Sequence, residues 1–216
     1  MKILFIIPAR KGSKRLVGKN KKHFNGKALV HHSIDFAINI ASKEDSLCIT
    51  SDDDEILEIA KTLPVDLIIK RPTLLASDSA TSFDVIIHAC SYALERNIEF
   101  DTIVLLQPTT PFRSIKDFEK MKILFREKGM SSLASITVKG DSKNCVIYNP
   151  QSMKRCISRL GEQGYLNGSI YFYKYDRLVK QNRNLEFDYT NYFMMSRKNS
   201  IDIDTIDDWN LATKYL

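Results

Sequence analysis

Runs of Ile, Leu and Val, four to seven residues long, alternate along this chain with stretches whose apolar residues recur at helical spacing. That alternation is the mark of βαβ units around a largely parallel sheet. The first strand is predicted from Lys2 to Pro8. Ile34, Ala37, Ile38 and Ala41 then mark a helix, and Leu47 to Thr50 the next strand. Ser51 and Asp52 are placed to cap a helix from Asp53 to Thr62, with Ile56, Ile59, Ala60 and Leu63 on one face. Val65 to Ile69 reads as a third strand, stopped at Arg71-Pro72 because proline has no N–H for the ladder.

The clearest stripe, Phe83, Ile86, Ile87, Cys90, Ala93 and Leu94, predicts a helix from Thr81 to Arg96. Thr102 to Leu106 reads as a buried strand. Ser114 and Asp117 form a capping signal for a helix carrying Phe118, Met121, Leu124 and Phe125. Past a strand at Leu133 to Lys139 the alternation loosens. No helix is predicted over 140–165, and the chain is expected to leave the main sheet there. Strand pattern returns at Ser169 to Tyr173 and Ser200 to Asp204, before a last helix with Trp209, Leu211 and Ala212. The expectation is a single domain over residues 1–216: α/β, with a mostly parallel sheet and helices on both faces.

Composition narrows the classes. At 216 residues and 44% hydrophobic, the chain can bury a core as one domain, and no Pro/Gly-rich tract divides it. The apolar start meets Pro8 too soon for a secretory h-region, and no run reaches the ~20 apolar residues a membrane span needs. The expectation is a cytoplasmic, soluble protein with no membrane partner. Cys48, Cys90, Cys145 and Cys156 lack the spacing of a zinc or redox motif. The net charge of +6 is concentrated: nine of the 32 Lys/Arg precede the first acidic residue, Asp35, leaving 23 basic against 26 acidic residues beyond it. That favours a local anion site over a nucleic-acid track.

Four segments carry candidate chemistry. The loop PARKGSKRLVGKNKK, from Pro8 to Lys22, follows the first strand, where ligands of open α/β sheets bind. Gly12, Ser13 and Gly18 can present backbone N–H groups to phosphates, and seven Lys/Arg supply countercharge. It matches neither GxxxxGK[ST] nor GxGxxG, and a solvated basic loop is the competing reading. In SIDIDT, strand periodicity puts Asp202 and Asp204 on one face, their Cα atoms about 7 Å apart. Paired carboxylates suit a hard divalent cation; an edge strand followed by a Thr205 cap is the alternative. RPTLLASDSATSFD supplies Ser79, Thr81 or Ser82 as caps, while Arg71 at the strand end is harder to assign to capping. Gln107 leaves a buried strand in LLQPTTPFR, where its amide either binds a polar ligand or merely closes the strand.

Taken together, IPARKGSKRLVGKN, RPTLLASDSATS, LLQPTTPFR, LNGSIYF and IDIDT resemble, in order and over nearly the whole chain, the acylneuraminate cytidylyltransferase family. That family comprises the CMP-sialic acid synthetases and bacterial relatives acting on legionaminic or pseudaminic acid. The resemblance implies a nucleotidyltransferase (Rossmann-like) fold and a homodimer built through an excursion at about 140–170. It implies CMP transfer from CTP to a nine-carbon sugar acid for surface glycan biosynthesis, with Mg2+. By resemblance, Arg10 and Lys19 hold the phosphates, Ser13 lines their loop, Asn20 meets the ribose, and Arg71 with Ser82 meets the cytosine. Gln107 and Tyr171 face the sugar acid, and Asp202 and Asp204 bind Mg2+.

The chain departs from the family at Arg15 and Val17, where Gly and Pro are common, and at Ala28, a frequent proline. Tyr165-Leu166 stand where an arginine often clamps the acceptor carboxylate, with Arg159 as a candidate replacement. The remaining acceptor contacts are expected between Arg155 and Tyr192. No histidine is needed as a base, and His88 is expected to be structural. The rival readings are a Kdo cytidylyltransferase, a guanylyltransferase, or a non-catalytic nucleotide- or polyanion-binding protein.

Overall fold

Strand β1, Ile3–Pro8, is apolar throughout because both of its faces are covered. In the computed structural model, which describes residues 1–77, 79–138, 144–154, 161–180 and 191–216, its alternate residues enter two different cores. Ile3, Phe5 and Ile7 pack with Ile34, Ala37, Ile56, Phe118 and Phe125. These come from α1 (Leu29–Ile40), α2 (Asp54–Lys61) and α4 (Ile115–Glu127). Leu4 and Ile6 pack on the opposite face with Phe83, Ile86 and Cys90 of α3, Ser82–Leu94. The period-2 alternation of a strand thus assigns each helix to a face.

Among the described residues the main sheet has eight strands. β1 pairs in parallel with β4 (Ser46–Ser51) on one side and with β6 (Thr102–Leu105) on the other. Beyond β4 lies β5, Leu67–Lys70, also parallel. Beyond β6 the character changes: β9, Glu162–Lys174, is antiparallel to β6 and to β7, Ser132–Thr137, with a register shift between Ala134 and Ile136. β10, Tyr192–Met194, closes that edge parallel to β7. A small hairpin of β2 (His23–Phe24) and β3 (Lys27–Ala28) precedes α1, and a short helix α5, Tyr175–Leu178, follows β9.

The predicted strands and helices fall within a few residues of the observed ones, with three corrections. The α2 cap is Asp53, whose Oδ1 accepts from Glu55 N–H at 3.1 Å; Ser51 Oγ accepts from Asp53 N–H, and Asp52 is drawn away to the basic loop. Residues 145–148 and 162–165 do not leave the sheet: β8, Cys145–Tyr148, pairs with the first residues of β9 and prolongs it. Residues 200–204 are not a ladder strand. A 3-10 turn at Lys198–Ser200 leads into an extended segment held by Ile203 N–H to Thr109 O at 2.8 Å. Its in-out alternation survives: Ile201 and Ile203 pack with Phe24, Leu29 and Ala212 of α6, Ile206–Thr213. Thr205 and Asp208 form the capping box of α6.

Among the described residues no helix is long and apolar enough to cross a membrane. Cys156 and Arg159, and the parts 155–160 and 181–190 of the stretch expected to hold acceptor contacts, lie outside the described residues.

Candidate active site

Because β4 and β6 flank β1 on opposite sides, the connections leaving the sheet diverge at the carboxyl end of β1 and open a crevice there. The crevice is a cavity of about 550 Å3. Its wall gathers Arg10, Ser13, Lys19, Asn20, Arg71, Ser82, Gln107, Asp202 and Asp204, residues separated by up to 194 positions in the chain.

The basic loop is built rather than loose. Gly18, at φ 64°, turns the chain into a 3-10 turn at Lys19–Lys21, which buries Lys19 and Asn20. Lys21 is drawn to Asp53, 3.4 Å away, and to Glu55 at 2.5 Å, and Lys11 N–H donates to Asp52 Oδ1 at 2.8 Å. The start of α2 therefore anchors both ends of the loop. Asn20 Nδ2 donates to Arg10 O at 3.0 Å, whereas its buried Oδ1 has no hydrogen-bond partner among the described residues. An orphaned buried acceptor is costly, and a ligand hydroxyl would satisfy it.

Lys19 and Arg15 both form ion pairs with Asp204. The amino- and carboxyl-terminal motifs thus meet directly. Asp202 sits beside them, with Oδ1 out of solvent and without a hydrogen-bond partner among the described residues. Burial, followed by the neighbouring Asp204 charge, pushes the Asp202 carboxyl up to about 6. Among the described residues no group of three or more His, Cys, Asp or Glu side chains is gathered to hold a metal. A site built from two carboxylates and substrate oxygens requires no such group.

On the far wall, Arg71 is buried, its Nη2 donating to Thr50 O at 2.7 Å and its Nε to Thr50 Oγ1 at 3.3 Å. Desolvation draws its pKa down to about 10. Ser82 is the first residue of α3, whose N-cap is Thr81 in a capping box with Asp84. The helix end and Arg71 together present positive potential to this part of the cavity.

Gln107 follows β6 and faces Gly168, which adopts a φ of 68°. A Cβ on Gly168 would lie 2.8 Å from Gln107 Oε1, so a larger residue would strain the turn and push the Gln107 amide aside. The turn is braced by buried Asn167, whose Oδ1 accepts from Ser135 Oγ at 2.6 Å and Ser169 N–H at 3.1 Å. Tyr171, expected to face the sugar, is buried in the core and does not line the cavity. Its hydroxyl accepts from Gly168 N–H at 2.7 Å, because residues on that face of β9 point into the α3 core.

Three contributors were given no role in the site by sequence. Arg15 pairs with Asp204, Thr109 hydrogen-bonds Asp202, and Arg113 lies near Asp202 and braces the loop after β6. Arg15 was legible as a charge of the basic loop and as a departure from the family pattern, and the other two as unassigned members of LLQPTTPFR.

Fold and cavity define a nucleotide-binding α/β protein with an anion-binding loop at its switch point. The cytidylyltransferase family model matches residues 4–215, and the chain belongs to that family. It is 30% identical to the CMP-N,N'-diacetyllegionaminic acid synthase of Legionella pneumophila over all of this chain and 97% of that one. It is also 30% identical to an N-acylneuraminate cytidylyltransferase of Escherichia coli O18:K1:H7 over 98% of this chain; that match spans 51% of the longer relative. Among solved structures, a CMP:2-keto-3-deoxy-manno-octonic acid synthetase complexed with CTP shares the fold at a TM-score of 0.78 and 16% identity, covering 100% of this chain and 98% of that one.

Proposed function

We propose that the protein transfers CMP from CTP to the anomeric hydroxyl of a nonulosonic (sialic-acid-like) sugar acid, releasing pyrophosphate, with Mg2+ as cofactor. The observation that carries this reading is the meeting of Lys19 and Arg15 with Asp204 inside the same cleft as Arg10, Asn20 and Arg71. A triphosphate needs cations along one wall, and a metal-assisted displacement needs carboxylates facing them.

Arg10 and Lys19 hold the phosphates, with Ser13 at the loop. Asn20 Oδ1 accepts from a ribose hydroxyl, and Arg71 with Ser82 holds the base. Gln107 orients the sugar acid opposite. The anomeric oxygen attacks the α-phosphorus in line, the bond to the bridging oxygen breaks, pyrophosphate leaves and the hydroxyl proton passes to solvent. Positioning and charge neutralisation carry such chemistry, so no Ser, Cys or His nucleophile is required. Asp202 and Asp204 are the residues that would hold Mg2+, and the unpartnered Oδ1 of Asp202 supports that fit. When bound, Mg2+ supplies countercharge to the phosphate oxygens.

The full-length match to the Legionella pneumophila relative makes N,N'-diacetyllegionaminic acid the first acceptor to try. The setting is cytoplasmic synthesis of an activated sugar for a surface glycan, by a homodimer joined through the β8–β9 extension. β8 there carries part-buried Val146 and Ile147 and pairs only with β9 among the described residues. The test is pyrophosphate release with CTP, GTP, ATP and UTP, each paired with legionaminic, sialic, pseudaminic and Kdo acceptors. CTP with a nine-carbon acid should dominate. Turnover confined to GTP or to Kdo would replace this reading with one of its rivals.

A further inference from the structure

Arg113 ends the LLQPTTPFR run, is part-buried, and forms no ion pair among the described residues. Its planar fork is instead spent on neutral acceptors from three separate elements. Nε donates to Ser169 O at 2.8 Å, Nη1 to Thr110 O at 2.7 Å and Ser33 Oγ at 2.9 Å, and Nη2 to Gln107 O. Desolvation, only partly opposed by the charge on Asp202, pulls its pKa down to about 9. Keeping a cation in such a place is costly, and a loop brace alone could be made from neutral residues.

The acceptors are not arbitrary. Gln107 O is the carbonyl of the residue whose amide enters the cavity, and it also accepts from Thr110 Oγ1 at 3.2 Å and Ser33 Oγ at 3.3 Å. Ser169 O belongs to the corner whose Gly168 leaves room for the Gln107 amide: a Cβ there would come within 2.8 Å of Gln107 Oε1. Thr110 Oγ1 reaches Gly168 O as well, at 3.4 Å. One guanidinium therefore ties the backbone that carries the Gln107 side chain to the glycine turn that leaves that side chain room.

We propose that Arg113 is a positioning residue that sets the spacing between Gln107 and the Gly168–Ser169 corner, and so aims the Gln107 amide at the acceptor sugar. The proposal rests on the reading of Gln107 as the residue that meets the sugar acid. Lysine cannot replace the fork, because a single ammonium cannot reach acceptors lying in three directions at once.

The test is a double-mutant cycle of Arg113→Lys and Gln107→Ala, read as the KM for the acceptor and the KM for CTP, with folding checked by circular dichroism and Tm. Arg113→Lys is expected to raise the acceptor KM by about tenfold while leaving the CTP KM within about twofold. In the Gln107→Ala background it should add nothing further. Additive losses, an equal rise in both KM values, or a wild-type acceptor KM would overturn the proposal while leaving the functional reading intact. A wild-type enzyme that releases no pyrophosphate with any of the acids would defeat both. If Arg113→Lys does not fold, Ser33→Ala removes one member of the brace and is run through the same cycle. A smaller rise in acceptor KM that vanishes with Gln107→Ala supports the proposal, and a rise that persists contradicts it.

Discussion

The two halves of the sheet are built differently, and the proposed function gives them different work. On one side of the cavity, β1, β4 and β5 are parallel, and their carboxyl ends deliver the basic loop and Arg71. On the other, β6, β9, β7 and β10 mix directions, and the site residues arrive from an irregular loop and a glycine corner. A triphosphate offers the same charges whatever sugar it meets, so a loop at a strand end suffices to hold it. An acceptor acid must be told apart from its relatives by shape and hydrogen bonds, which asks for individually braced side chains such as Gln107. Asp202 and Asp204 lie at the seam between the halves.

Substitution at the seam should have the largest effect. Asp202→Asn and Asp204→Asn are each expected to lower turnover by ~1000-fold at limiting Mg2+, consistent with several kcal/mol of charge stabilisation from a metal. Wild-type rates in both variants, measured by pyrophosphate release across a Mg2+ titration, would remove the metal from these residues.

On the parallel side, Lys19→Ala should cost roughly 100-fold or more in kcat/KM for CTP, the scale of losing one donor to developing charge. The acceptor KM should stay near wild type. If the acceptor KM moves as much as the CTP term, the two halves are not separable. Asn20→Ala addresses the same wall more finely: the wild type should prefer CTP to dCTP, and the variant should lose most of that preference, about tenfold, because the orphaned Oδ1 is gone.

The smallest effect concerns stability and runs opposite to activity. The Asp202 carboxyl is held near 6 by burial and by Asp204, above its unfolded value. The folded state therefore binds the proton more tightly than the unfolded chain does. The stability this gives is fully present below about pH 4 and is lost as pH rises through 6. In metal-free buffer at pH 8, Asp202→Asn should therefore raise Tm by a few °C, roughly 1–2 kcal/mol, with little gain at pH 4. Thermal melts in EDTA at the two pH values check this.

The same division governed what could be read from the chain beforehand. Strands buried on both faces appear as largely apolar runs, so β1, β4 and β6 were legible, as were the short apolar edge strand β5 and the stripe of α3. The basic loop declared itself because its charge is uncompensated locally. β10 is only three residues long, and β8 is a short part-buried edge, so neither carries a strong period. The misread strand at Ser200 to Asp204 has genuine alternation: Ile201 and Ile203 bury against α6 while the aspartates face the cavity, yet among the described residues it pairs with no strand. Periodicity reports which face is buried, not whether a partner strand exists. Tyr171 and Arg113 were illegible in a stricter sense. Their roles depend on a turn at Gly168 and on carbonyls from distant elements, which no local pattern encodes.

The account stands on one cleft shared by nucleotide and carboxylates, and a crystal structure of the protein with CTP and Mg2+ measures it most directly. The triphosphate should lie along Arg10 and Lys19 with the base at Arg71, and a metal should be coordinated by Asp202 and Asp204 together with phosphate oxygens. A nucleotide bound away from the basic loop, or a metal held without either aspartate, would contradict it.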